Sequence, residues 1–427
     1  MTDVSLWPER GADLGPRSNA LAGLRICDLS GILAGAGATR ILAAFGAQVI
    51  RVEDPTNKGR WDITRGSAPY VDERRGTNLG GVFNNHNVEK LGVTINLRSE
   101  EGKTLFLRLV AASDVVTENF SAGVMERLGL GYQELRAVND TVIYVANSGF
   151  GKTGPYAGFK SFGPIVQAVS GLTFTSALPG EEPAGWGYSY MDHMGANFMA
   201  LAILGALVHR NRSGRGMAID MSCTDAGLAL AGPELLDFTV NDRPVRDSGT
   251  VDSNTTSVPP MVPHNIYPAS GDDEWLAIAC RDDHDWTQLA GVLDAPWATD
   301  DRFRSSDGRR SARDELDRLI GAWSAERPAR TTEAALRAAG VPCAKVAKQV
   351  ERIDEDPVAQ RWGLWPSVRH TEIGEVRVDG MPMHLSDTDW VIARGGPCLG
   401  EDNRFVFGEL LGLADDEIDE LAAAGAI

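Results

Sequence analysis

Asp192 combines a reactive side chain with unusual surroundings. It stands in "GWGYSYMDHMGANFMALAILGALVHR" (185–210), where one carboxylate is followed by almost nothing but apolar and small residues. Two readings of it are open. As a helix cap, its oxygens would accept an amide hydrogen bond and its charge would suit the positive helix end. As a nucleophile, the same position would lower its pKa and keep it ionised among apolar groups. An ionised carboxylate can attack an activated acyl group to form a mixed anhydride. With a thioester, the departing thiolate can return to attack the anhydride and a second acid can intercept it. That exchanges CoA between two carboxylic acids.

Other motifs are weaker. "GFGKTG" (149–154) looks like a phosphate-binding loop, but the required glycine five places before the Gly-Lys pair is Ala146, and Pro155 interrupts the helix that should follow. "GAGATR" (35–40) looks like a dinucleotide fingerprint, with Glu53 near the ribose-binding distance. Its third glycine is Arg40, which argues against close helix packing there. It is either an NAD site or a tight turn that lets some ligand approach the backbone. Cys27, Cys223, Cys280, Cys343 and Cys398 lie far apart without metal spacing, and read as reduced thiols in a cytoplasmic protein. His264, in "VPHNIY", is either substrate-facing or structural.

The elements that would hold these residues can be read from periodicity. "LRICDLS", "AGAGATRILAAFGA" and "QVIRVED" read as strand, helix and strand within a βαβ unit. The alternation continues through strand "GVTINL", helix "EEGKTLFLRLVAAS", strand "DVVTENF", helical "AGVMERLGLGYQELRAV" and strand "TVIYVANS". This predicts an α/β fold with a Rossmann-like parallel sheet covered on both faces. Ligands bind such sheets beyond the carboxyl ends of the strands. Those ends present Ser30 to Gly37, Glu53, Asn119 with Phe120, and Asn147 to Phe150. The helix after Asp192 should end near Asn211 at "NRSGRG". A strand "MAIDMS" and helix "TDAGLALAGPELLDF" follow, then a polar, proline-bearing linker at 239–262. Strand "EWLAIAC" and mostly helical 282–340 suggest a second domain, and two helices close the chain.

Composition narrows the function. The net charge of -18 argues against nucleic acid or an anionic membrane as partner. The longest apolar run, "FMALAILGALV", is short for a membrane span, and the first twenty residues lack a signal peptide's apolar core.

The chain resembles the class III CoA-transferases, the family of formyl-CoA and carnitine CoA-transferases. The resemblance rests on an ordered set: "LAGLRICDLSGILAGAGATRILAAFGAQVIRVEDP", "GVTINLRSEEGKTLFLRLVAASDVVTENFSAGVMERLGLGY", "SFGPIVQAVSGLT", "MDHMGANFMALAILGAL", "RSGRGMAIDMS" and "LGLADDEIDELAAAGAI". It implies that Asp192 is the acyl-accepting nucleophile. It implies that Leu33, Ala34 and Gly149 lie at the CoA site, and that Asn96, Leu97, Arg98, Asn119, Phe120 and Arg127 line the nucleotide and pantetheine. CoA would enter as part of an acyl-CoA substrate, with a carboxylic acid as acceptor and no permanently bound cofactor or metal. The implied architecture is a ring-shaped subunit in an interlocked homodimer. Its large domain would take residues 1–238, its small α+β domain 263–345, and residues 346–427 would return to the large domain.

The chain departs from the family at named places. Formyl-CoA transferases carry glutamine at Leu33, whose amide is missing here; backbone N–H groups near Ala34 or Gly35 could substitute in stabilising an oxyanion. Their glycine-rich lid is replaced by "NTTSVPPMVPHNIY". The related α-methylacyl-CoA racemases pair an acid with a histidine, and Phe162 stands near the expected histidine here. Transfer is therefore favoured over racemisation, with a catalytically silent acyl-CoA binder as a third reading. Trp186, Tyr188 and Tyr190 either line an acyl pocket or pack under a loop.

Overall fold

The computed structural model describes residues 19–176, 181–242, 254, 256–257 and 260–427. The chain divides into two compact units, one of Met1–Phe174, Gly185–Asp242 and Pro357–Ile427, the other of Thr175–Ala184 and Arg243–Asp356.

The larger unit begins with β1 (Arg25–Asp28), α1 (Ala34–Ala44), β2 (Gln48–Glu53), α2 (Gly81–His86), β3 (Leu91–Thr94), α3 (Glu100–Ala111) and β4 (Val115–Glu118). It continues with α4 (Val124–Leu128), α5 (Tyr132–Val138), β5 (Ile143–Ser148), α6 (Gly163–Val169), α7 (Tyr190–Ser213), β6 (Met217–Ser222), α8 (Cys223–Leu230) and α9 (Gly232–Asn241). The six strands form one parallel sheet in the order β3-β2-β1-β4-β5-β6. The chain reverses direction across the sheet between β1 and β4, and a crevice opens there at the strands' carboxyl ends.

Strands β1 to β5 are largely buried and mostly apolar, with Asp28, Arg51, Glu53 and Glu118 as buried charged exceptions, whereas the edge strand β6 is exposed at alternate positions. On one face α1 and α7 cover Ile26, Val49, Val115, Ile143 and Val145. The two helices approach closely because their contact residues are small: a Cβ added at Gly37 would lie 3.0 Å from Ala196 Cβ. Arg40, the departure from the glycine fingerprint, does not obstruct this packing. It is buried, and its guanidinium donates to the carbonyls of Asn85 and Asp379.

The expected eleven-residue apolar run belongs to a longer element. α7 has 24 residues and is long and apolar enough to cross a bilayer by length and composition. It packs Ala196, Met199, Ala200, Ile203 and Leu207 into the core beside the sheet.

The smaller unit contains the pair β7 (Thr256–Ser257) and β8 (Pro260–Met261), then β9 (His264–Pro268), β10 (Trp275–Ala279), α10 (Asp283–Leu293), α11 (Ser306–Ser311), α12 (Arg313–Ala325), α13 (Ala329–Ala338) and β11 (Cys343–Lys345). Strands β11-β10-β9 form an antiparallel sheet over a core that includes Leu276, Trp286, Phe303, Ile320 and Leu336. Much of the 239–262 linker, and part of the segment at the family's glycine-rich lid, lie outside the described residues.

The chain after residue 356 belongs to the larger unit. It forms α14 (Pro357–Arg361), the hairpin β12 (Ser367–His370) and β13 (Gly374–Arg377), a π-helical turn at Phe405–Leu410 and α15 (Asp415–Ala423). Val406, Phe407 and Ile418 pack with Phe106 and Leu109 of α3 in the core of the sheet's second face.

Candidate active site

A cavity of about 510 Å³ opens at the carboxyl ends of the strands, within the larger unit. Its walls come from the segments that follow β1, β2, β3, β4 and β5, closed by residues 157–162 and by Asp192 and Cys223. The lining includes Leu33, Ala34, Leu97, Arg98, Asn119, Phe120, Gly149 and Asp192. Asn96 and Arg127 are not among the lining residues. The Asn96 side chain accepts from the Arg98 amide at 3.1 Å and donates to Gly425, which ties it to the C-terminus. Arg127 is exposed on α4.

Asp192 does not cap its helix. Ser189 occupies the N-cap position, and Asp192 is the third helical residue, its amide donating to the Ser189 carbonyl at 3.0 Å. The expected depression of its pKa is also reversed. Burial raises the carboxyl to about 6, and a hydrogen bond from Ser189 only partly offsets it. No cation is paired with it among the described residues. A carboxyl of this pKa is still mostly ionised at neutral pH.

The surroundings of Asp192 are small and tight. A Cβ added at Gly163 would lie 3.0 Å from both Asp192 Oδ2 and Ser189 Cβ, so α6 approaches the carboxylate through a glycine. Cys223 lines the same space and donates to Asn147 Oδ1 at 3.2 Å. Burial, and then the charge of Asp192, push its thiol up to about 12, which keeps it protonated.

The turn between β1 and α1 is held by side chains from elsewhere in the unit. Asn119 Oδ1 accepts from the Gly31 amide at 2.8 Å, and its Nδ2 donates to the Gly31 carbonyl at 2.9 Å. Asp62 Oδ2 accepts from the Ile32 amide at 3.0 Å and from Arg51 at 2.7 Å. Arg51 also donates to the Ser30 carbonyl. α1 then begins at Ala34, and its N-cap residue, Leu33, makes no side-chain cap. The first amides of a helix have no partner within it, and here no side chain caps them where Leu33 and Ala34 line the cavity.

The charged lining residues divide into committed and free groups. Glu53, the candidate ribose ligand, is buried and accepts from Arg65 Nε at 2.9 Å. Arg98 and Lys160 are exposed at the cavity and make no ion pair among the described residues. In the "GFGKTG" loop, Lys152 turns away from the cavity and pairs with Glu126 at 2.5 Å. No helix starts after it.

No histidine lines the cavity among the described residues. Phe162 lines it at the N-cap of α6. His193 faces His86 instead, with ring centroids 5.6 Å apart. Trp186, Tyr188 and Tyr190 form their own aromatic cluster outside the lining. His264 lies on β9 of the smaller unit.

Several cavity residues escaped the motif reading. Trp61 meets Phe120 edge-on at 5.1 Å and lies against Gly31, where a Cβ would come within 2.3 Å of the indole. An indole in the polar segment "NKGRWDITR" was its one visible signal. Cys223 follows β6, on the same carboxyl edge of the sheet as the other cavity residues.

Comparison with known proteins gives a consistent result. The family model described as CoA-transferase family III matches residues 21–403. The chain is 34% identical over 407 residues to a succinyl-CoA–D-citramalate CoA-transferase of Chloroflexus aurantiacus, covering 95% of this chain and 97% of that one. It is 31% identical over 402 residues to a succinate–glutarate CoA-transferase of Agrobacterium fabrum, covering 93% and 97%. The crystal structure of a CAIB/BAIF family protein from Brucella suis matches with a TM-score of 0.82 at 29% identity, covering 92% of this chain and all of that one.

Proposed function

The chain belongs to CoA-transferase family III, and from that premise we propose that it moves CoA between carboxylic acids through acylation of Asp192. The observation that carries this reading is a part-buried carboxylate with no cationic partner, facing a cavity that also receives the uncapped start of α1.

An oxygen of Asp192 attacks the thioester carbonyl, and the C–S bond breaks to release CoA thiolate and leave an acyl-aspartyl anhydride. The thiolate then attacks the aspartyl carbonyl, freeing the donor acid and leaving an aspartyl thioester. The acceptor carboxylate displaces the thiolate to form a new anhydride. Attack of the thiolate on its acyl carbonyl yields the new acyl-CoA and restores the carboxylate. No net proton is gained or lost. Each tetrahedral oxyanion needs a donor, and with leucine at position 33 that donor is a leading amide of α1, at Ala34 or Gly35.

CoA enters along the carboxyl ends of the strands. Arg98 offers a phosphate partner and Trp61 with Phe120 offer an apolar surface for the pantetheine. The named relatives act on succinyl-CoA, succinate and glutarate, and we extend short dicarboxylic acids to this chain as its substrate class. Lys160, exposed at the cavity without an ion pair among the described residues, is suited to the second carboxylate. The exposed apolar faces of α7 (Leu201, Leu204) and α9 (Leu236, Val240) support a homodimer, which light scattering would test.

The deciding experiment mixes the protein with a panel of acyl-CoAs and hydroxylamine. A donor-dependent hydroxamate on the Asp192 peptide, absent in Asp192→Ala, is expected. CoA binding without any mark would point to a silent binder. Exchange of an α-proton with solvent deuterium would point to a racemase.

A further inference from the structure

The turn that brings Leu33 and Ala34 to the cavity is strained at one residue. Ile32 has a φ of 59°, in the left-handed region that a β-branched side chain strongly disfavours. Its neighbours give no local reason for this conformation, since no Asx or Gly occupies the position. Its amide donates to Asp62 Oδ2, thirty residues away, at 3.0 Å.

Asp62 is itself held rigidly. It is 1% exposed, pairs with Arg51 at 2.7 Å, and accepts from the Thr64 amide through its other oxygen at 3.0 Å. Every oxygen of this buried carboxylate is therefore committed, and one commitment is to the strained residue. Arg51 closes the loop by donating to the Ser30 carbonyl, while Asn119 pins Gly31 between them. The backbone of three consecutive residues is thus clamped immediately before the start of α1.

We propose that Asp62, oriented by Arg51, is a positioning residue that holds Ile32 in its left-handed conformation and so aims the leading amides of α1 at the reacting carbonyl. The inference rests on the reading of Asp192 as acyl acceptor with those amides as oxyanion donors. It explains how the chain manages with leucine at position 33: backbone donors replace a side-chain amide only if the backbone is fixed, and the clamp fixes it.

The test compares Asp62→Ala and Asp62→Asn with and without Ile32→Gly, because glycine adopts positive φ without strain. Asp62→Ala should lower kcat about 100-fold, the loss typical of a misplaced oxyanion donor, with KM for acyl-CoA within about threefold. Asp62→Asn, which keeps an oxygen for the Ile32 amide and loses the charge that Arg51 holds, should lose about tenfold. Adding Ile32→Gly should recover part of kcat in either background, because glycine removes the strain without restoring the clamp, whereas a purely structural role predicts recovery of thermal stability at most. If Asp62→Ala does not fold, the Asp62→Asn pair is read in the same way. A loss confined to KM or melting temperature, wild-type kcat in Asp62→Asn, or no recovery with glycine would each overturn the proposal. Trapping of the Asp192 hydroxamate in the unmutated protein is measured alongside. Its absence would sink the nucleophile assignment instead, and so separates the two failures.

Discussion

Asp62 and Asp192 are both removed from water in the larger unit, and their surroundings drive them in opposite directions. Burial disfavours the charged form of each. At Asp62 the charge of Arg51, followed by hydrogen bonds from Thr64 and the Ile32 amide, more than reverses that effect and holds the carboxyl below its usual range. At Asp192 only Ser189 opposes burial, and the carboxyl rises to about 6. The partnered acid spends both oxygens on structure. Asp192, with no cation paired to it among the described residues, is the more basic carboxylate, which suits the nucleophilic role proposed for it. Glu118 marks the limit of this reasoning. Burial raises it to about 7, yet its oxygens accept from Tyr144 at 2.8 Å and the Phe120 amide at 2.7 Å, and it does not line the cavity. A raised pKa identifies a candidate only where an oxygen is free and faces the cavity.

The largest effect should come from removing the free oxygen. Asp192→Asn keeps the shape and should lower kcat by about 10⁴-fold or more, as loss of a nucleophile does elsewhere. Steady-state turnover with any active donor checks it, and retained turnover would refute covalent catalysis at this residue. Crowding the same carboxylate should cost less. Gly163→Ala places a methyl 3.0 Å from Asp192 Oδ2, and the strain of overpacking should reduce kcat by about tenfold while the fold persists in circular dichroism.

Lys160→Met tests the role proposed for this cation. It should raise KM about tenfold for a dicarboxylic acceptor and leave a monocarboxylic acceptor unchanged. An equal rise for both, or a rise in KM for CoA alone, would reassign the lysine to a phosphate.

The smallest effects are on pH dependence and speak most directly to the comparison. On the proposal that Asp192 is the nucleophile, kcat/KM should fall as pH drops through about 6, where its raised carboxyl takes up a proton. Ser189→Ala removes a hydrogen bond that lowers this pKa, so the acid limb should move upward. Asp62→Ala, which acts through the backbone, should scale the profile without moving the limb. A limb near the ordinary carboxylate value would show that Asp192 is better solvated than its burial implies.

Much of this molecule was open to reading along the chain, because its information is local. Alternation of apolar strands with amphipathic helices implied a parallel sheet, since crossover helices must cover both faces. Leu33, Ala34, Asn119, Phe120 and Gly149 meet at one cavity because each follows a strand, and parallel strands end on a common edge. The sequence by itself determined the element types, the edge on which a ligand site forms and the isolation of Asp192 from other carboxylates nearby in the chain.

Tertiary structure decided the rest. Strand order depends on pairings such as β1 with β4, between segments about ninety residues apart, which no local period encodes. Asn96 and Arg98 are two residues apart, yet one is bound to the C-terminus and the other reaches the cavity. The pKa of Asp192 lies above what a helix N-terminus implies, because α6 packs against the carboxylate through Gly163, a contact that no local pattern encodes. Asp62 carried no motif at all. Its role depends on an arginine eleven residues away and an amide thirty residues away, brought within hydrogen-bonding distance only when the sheet assembles.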